Sequence, residues 1–282
     1  MDSLIAYVTE PLAYDFMQRA LLMSVLIATV CSIFSCFLIL KGWSLMGDAV
    51  SHAVLPGLAV AVVIGIPLAI GALVAGLFCA VATGFIKENS RVKEDAVMGI
   101  VFSGMFAVGL VLLTKIETDV HLLHVLFGSV LGISNAELIE AGSIAIVCST
   151  IMLLKRRDLM LYCFDPAHAS VIGLPVKFLH FGLLILLALT IVSALKAAGI
   201  ILVIAMLIAP GAIGFILARS FDRILMIALS VSIFSCILGT IVSFHMDAAT
   251  APLIVVIQAG FFVLALLLGK SRATTRGPLN AT

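Results

Sequence analysis

The chain alternates between long apolar blocks and short polar links. Nine blocks fall at about 17–40, 45–64, 66–86, 95–113, 137–154, 179–195, 198–218, 222–243 and 250–269. Each approaches the ~20 residues that a helix needs to cross ~30 Å of hydrocarbon. Apolar runs of that length satisfy their backbone internally only as helices. The pattern predicts an all-α, polytopic transmembrane bundle of eight or nine spanning helices. Gly65-Ile66-Pro67 is a tight turn between the second and third blocks. The stretch 120–133 is also apolar, contains Gly128 and Gly132, and could form a short or re-entrant tenth helix. Three regions follow: a polar N-terminal segment 1–16, a transmembrane domain 17–269 and a tail 270–282.

Composition closes off other classes. The chain is 63% hydrophobic and 11% charged, against about 25% charged residues in an ordinary soluble domain. The net charge of +1 says nothing about partners. A single Trp and mixed charge argue against a nucleic-acid surface. Six cysteines lie scattered and form no C-x-x-C pair, so they read as small buried hydrophobes. Asp2, Glu10 and Asp15 stand in the first sixteen residues without a basic residue, unlike the positive start of a cleaved signal peptide.

The basic residues orient the bundle. With alternate links assigned to one side, that side takes thirteen of the 16 Lys and Arg residues, leaving Arg19, Lys115 and Lys196 on the other. The positive side faces the cytoplasm, which puts the C-terminus inside and, for nine spans, the N-terminus outside. The longest cytoplasmic link is about 155–178. In it Asp165 and Pro166 read as an N-cap followed by proline at the first helical position, and Gly173 and Pro175 read as a stop. A two-turn helix is expected over 165–173, offering Ala169, Val171 and Ile172 to a partner. Gly269-Lys270-Ser271 mimics the end of a phosphate-binding loop, but position 264 is Leu264 and no strand precedes it. No ATPase and no enzyme activity of the chain's own are expected.

Polar chemistry inside the apolar blocks is sparse and therefore informative. Asp48 and His52 stand four residues apart in the second block. Asp in hydrocarbon costs roughly 2.5–3.5 kcal/mol on insertion scales. Four residues of helix bring both side chains to one face. An oxygen and a nitrogen donor side by side make half of a divalent-cation site, although a plain Asp–His hydrogen bond between packed helices would use the same residues. Pro56 lacks an N–H, so the carbonyl of His52 loses its helical partner and becomes a third donor or a hinge, with Gly57 adding flexibility. Pro210 and Gly211 predict a second interrupted helix in the seventh block, of the kind transporters place along a substrate path. Glu117, Asp119, His121 and His124 cluster at the outer side, as do His245 and Asp247, where they could attract an incoming metal. His168 and His180 read as structural or interfacial.

Gly47-Asp48-Ala49-Val50-Ser51-His52-Ala53-Val54-Leu55-Pro56-Gly57 resembles the signature of the permeases of metal-ion ABC importers, which take up manganese, iron or zinc. Glu94-Asp95-Ala96-Val97-Met98-Gly99-Ile100-Val101-Phe102-Ser103, Leu126-Phe127-Gly128, Ile208-Ala209-Pro210-Gly211-Ala212 and Asp247-Ala248-Ala249-Thr250-Ala251-Pro252 resemble further stretches of the same family. The resemblance implies a permease subunit in the bacterial plasma (inner) membrane, with no permanently bound cofactor. It implies three kinds of partner besides lipid: a second permease, identical or paralogous, cytoplasmic ATPase subunits and an extracytoplasmic metal-binding protein. It makes 165–173 the coupling helix, and Asp48 and His52 the lining of the metal path. The run from Asp119 to Gly128 with Ile208–Gly211 looks more like the manganese/iron branch than the zinc branch, and no His-rich loop is present, so Mn2+ or Fe2+ is expected ahead of Zn2+. Three rivals share parts of this pattern: a proton-coupled secondary divalent-cation transporter, a membrane scaffold, and an ABC permease for an organic substrate. The last is disfavoured because the blocks offer a narrow polar pair rather than an aromatic-lined cavity.

Imidazole binds a metal only when neutral. Uptake is therefore expected to fall between about pH 7.5 and about pH 5.5, the range over which imidazole ordinarily titrates. Metal accumulation that is flat across that window would exclude His52 as a titrating ligand.

Overall fold

The computed structural model describes residues 7, 9–92, 94–115 and 133–274. All eleven elements named below are helices, and nine stretches of the described residues are long and apolar enough to span a membrane. The expected bundle is therefore present. The stretch 120–133 lies outside the described residues except for Ile133, as do the tail residues beyond Thr274.

α1 (Asp15–Lys41) is the central helix. Its acid lies in the first turn and its base in the last, which suits the helix dipole. Gly42 ends it at φ 81°, with its N–H directed to the carbonyls of Ile39 and Leu38. Phe34, Phe37 and Leu38 are fully buried, among small residues such as Ala28, Cys31, Ser32 and Ser35. Small residues let helices approach closely, which matters in lipid because no hydrophobic gain separates a protein neighbour from an acyl chain.

Span 2 is two helices, α2 (Met46–Ala53) and α3 (Leu55–Ile64), with Val54 between them. The N–H of Val54 takes the carbonyl of His52. The expected free carbonyl is thus already engaged, although the break just ahead of Pro56 is real. α4 (Leu68–Asn89) folds back on α3. A Cβ on Gly57 would collide with the carbonyl of Gly71, and one on Gly71 with that of Gly57. The two backbones therefore touch, and only glycine fits on either side. α5 (Glu94–Leu113) crosses span 2 at its break, where a Cβ on Gly109 would stand 2.9 Å from the nitrogen of Pro56.

α6 (Asn135–Leu154) opens on a capping box, in which Ser134 and Glu137 satisfy each other's backbone N–H groups. α7 (Arg156–Phe164) and α8 (Pro166–Val171) form the long link. All six cysteines are buried and unpaired, in keeping with their reading as apolar filler. Burial pushes the Cys163 thiol in α7 up to about 12 against the opposing charge of Lys41.

α9 (Val176–Leu217) is 42 residues long. A straight helix of that length would measure about 63 Å, twice the hydrocarbon thickness. Gly199, at φ 76° and ψ 167°, kinks it near the junction of two candidate spans, 176–195 and 197–217. That region of the map is open essentially to glycine alone. The interruption expected at Pro210 and Gly211 is absent: the second arm stays helical through Pro210. Ser35 of α1 braces the stretch around the proline. The Ser35 hydroxyl of α1 accepts the Gly211 N–H at 2.8 Å and donates to the Ile208 carbonyl at 3.1 Å. A Cβ on Gly211 would lie 2.6 Å from Ser35, so glycine here permits that contact.

α10 (Phe221–Met246) and α11 (Thr250–Thr274) complete the bundle. Gln258 of α11 donates to the Met206 thioether at 3.5 Å, and the Ser232 hydroxyl of α10 lies 3.1 Å from the same sulfur. The Arg156–Asp222 ion pair at 3.1 Å ties α7 to the start of α10. Lys41 and Tyr162 meet at that same end of the bundle, while His245 meets Tyr7 at the far end of α10. This is the alternation on which the charge reading depends.

Gly57→Val or Gly71→Val is expected to lower stability by about 1–3 kcal/mol through overpacking, read as a lower Tm of the detergent-solubilised protein. Gly260→Ala, whose Cβ would meet open space, is expected to leave Tm unchanged.

Candidate functional site

The break in span 2 builds the site. Because α2 is only eight residues long, Asp48 falls in its first turn and His52 in its last. A carboxylate at a helix start and an imidazole at a helix end both suit the local dipole. His52 Nε2 lies 3.3 Å from Asp48 Oδ1, and the side chains are 31% and 32% exposed. They are half-buried. The distance is informative. Two adjacent ligands of one ion, bound at about 2.0–2.2 Å, lie about 3.0–3.4 Å apart in octahedral or tetrahedral geometry. The pair could hold one cation with little rearrangement.

Residues the sequence reading missed fix the imidazole. Phe102 and Phe106, one turn apart on α5, flank the His52 ring with centroids at 6.2 and 5.3 Å. Their spacing in block four was the available signal, but nothing in the sequence said which helix faced block two. His52 Nδ1 is buried without a hydrogen-bond partner among the described residues. Ser51 turns back on its own helix and donates to the Gly47 carbonyl at 2.7 Å, so it is not poised as a ligand. A Cβ on Gly47 would lie 2.7 Å from the Leu207 side chain, so the second arm of α9 packs close against the start of α2.

The remaining candidates within the described residues, His245 and Asp247, do not join this pair. Among the described residues no group of three or more His, Cys, Asp and Glu side chains comes together. The described residues supply two donors here, fewer than the four to six a transition metal takes. Glu117, Asp119, His121 and His124 lie outside the described residues. His245 stacks on Tyr7 at 3.6 Å, with Nε2 at 2.8 Å from the Tyr7 carbonyl. Asp247 ends α10 in the left-handed region at φ 49°, its N–H directed to the Ser243 carbonyl.

The short link helix has the expected caps. Asp165 accepts the His168 N–H at 2.9 Å, Pro166 opens the helix, and Gly173 at φ 85° reverses the chain. Its presented surface differs from expectation. Ala169 is fully buried and packs into the chain, whereas Phe164 and Val171 are 76% and 84% exposed, with Ile172 beside them. Capping directs the small residue inward because α8 lies against α7 and α9, an arrangement that local sequence does not encode. Trp43 is buried against His180.

The comparisons agree along the whole chain. The ABC 3 transport family matches residues 13–269. The chain is 64% identical over 267 residues to the chelated iron transport system membrane protein YfeD of Yersinia pestis, covering 95% of this chain and 90% of that one. It is 51% identical over 264 residues to the manganese transport system membrane protein MntB of Synechocystis sp., covering 93% and 85%. Among solved structures it resembles PsaBC from Streptococcus pneumoniae in complex with Fab, with a TM-score of 0.82, 32% identity and coverage of 93% and 95%. The sequence, the nine spans and these likenesses converge: the chain is a multi-pass membrane subunit and belongs to the ABC 3 transport family.

Proposed function

We propose that this chain is the permease of an ATP-binding-cassette importer that carries a divalent transition-metal ion, Mn2+ or Fe2+ ahead of Zn2+, into the bacterial cytoplasm. The observation that carries the reading is the Asp48–His52 pair, held 3.3 Å apart at the break of span 2 in a chain of this family. The names of the iron and manganese relatives support the choice of cargo. Carboxylate and imidazole suit all three ions, and geometry rather than raw affinity selects among them.

A metal-binding protein outside the cell delivers the ion. Asp48 and neutral His52 replace part of its hydration shell, and a second permease brings the matching donors. Separate ATPase subunits bind at α8 from the cytoplasm, where the basic end of the bundle lies. Closure of those subunits switches the permease between outward-facing and inward-facing states. Release requires that some ligands separate in the inward state. A proton-coupled secondary transporter would use the same pair without an ATPase, and membership of an ABC transport family speaks against it.

In cells carrying the complete system, Asp48→Ala and His52→Ala are each expected to cut Mn2+ or Fe2+ accumulation by about tenfold or more, with membrane expression and ATPase association intact. Normal accumulation in both variants would make the pair structural. The double variant Val171→Asp, Ile172→Asp is expected to strip the ATPase subunits from the purified permease without changing its Tm, because both side chains are exposed. Full co-purification would move the docking surface elsewhere.

A further inference from the structure

A second polar cluster lies at the basic end of the bundle, apart from the metal pair. Lys41 Nζ stands 4.3 Å from the Tyr162 ring centroid and 5.8 Å from that of Trp43. The Tyr162 hydroxyl and His180 Nδ1 are 2.7 Å apart. The Trp43 and His180 rings meet edge to face at 5.5 Å. Trp43 and Tyr162 are 3% and 2% exposed. Four elements converge here: the end of α1, the link into α2, α7, and the start of α9.

Both ends of the cluster are anchored to working parts. The Trp43 N–H donates to Leu38 at 2.8 Å, and its carbonyl accepts the Met46 N–H at 3.0 Å, opening α2 two residues before Asp48. On the other side Asp165 closes α7 through its N–H to Leu161 at 2.8 Å, and its carboxylate starts α8. α7 and α8 thus share one residue, three positions beyond Tyr162.

A junction that only packed would be as well served by apolar side chains. This one is built from directional contacts, which break and re-form over small displacements. One of its donors is unspent: Trp43 Nε1 is buried without a hydrogen-bond partner among the described residues. A buried donor left over in one arrangement favours a second arrangement that satisfies it.

We infer that Lys41, Trp43, Tyr162 and His180 form a positioning joint that carries movement of α8 to the Asp48–His52 helix. The inference rests on the importer reading above, with α8 as the ATPase contact. Trp43 is the chain's single Trp, so it reports on the joint directly. The emission of the assembled transporter, less that of its Trp43→Phe counterpart, isolates it.

Addition of a non-hydrolysable ATP analogue with Mg2+, without transported metal, is expected to shift that emission. Tyr162→Phe is expected to abolish the shift and lower metal uptake per ATP hydrolysed by about fivefold or more, with ATPase association retained. A purely structural role would lower assembly and leave that ratio intact. His180→Gln serves the same test should Tyr162→Phe fail to assemble. Emission unmoved by nucleotide in the intact complex, or an unchanged ratio in the variant, overturns the joint. A wild-type transporter that takes up no metal overturns the importer reading instead, while the nucleotide response still decides the joint.

Discussion

No water reaches the middle of a bilayer, so each backbone group freed by a broken helix must find a protein partner. This chain departs from a plain helical run at three places. At the break of span 2, the Val54 N–H turns back to the His52 carbonyl, and Gly109 of α5 lets a neighbouring helix cover Pro56. At Pro210, Ser35 accepts the Gly211 N–H and donates to Ile208. At Gly199 the backbone adopts a conformation that other residues avoid, and one long helical run kinks near the junction of two candidate spans. The glycines at these points are there because a Cβ would forbid the contact or the turn.

The same break shapes the surroundings of the Asp48–His52 pair. A continuous span 2 would leave Asp48 in its first turn but place His52 in helix interior, remote from the C-terminal dipole end. Splitting the span gives His52 a terminus and a favourable field as well. Phe102 and Phe106 then limit the ring's orientation without competing as ligands. The arrangement is ordered but offers only two donors, which suits the transient binding proposed for it.

The helical blocks were legible because hydrocarbon imposes a minimum apolar length, and all nine observed spans fall within a few residues of the predicted blocks. Asp48 and His52 were legible because ionisable groups are rare in such blocks. The caps of α8 were legible because Asp165, Pro166 and Gly173 act through local backbone geometry. Pro210 misled because a lost hydrogen bond does not by itself end a helix, and this arm is packed against α1, where Ser35 bonds Ile208 and Gly211. Ala169 misled for a related reason: its burial is set by α7 and α9, not by its neighbours in α8.

The sequence by itself determined the class of the protein, the approximate limits of the nine apolar blocks, and the one ionisable pair within them, since each follows from chemistry within one turn of helix or one bilayer thickness. Only the tertiary structure decided which helices break and which run on, which aromatic rings flank His52, and which face of α8 is open. Those features depend on contacts between residues far apart in the chain, and no local pattern specifies them.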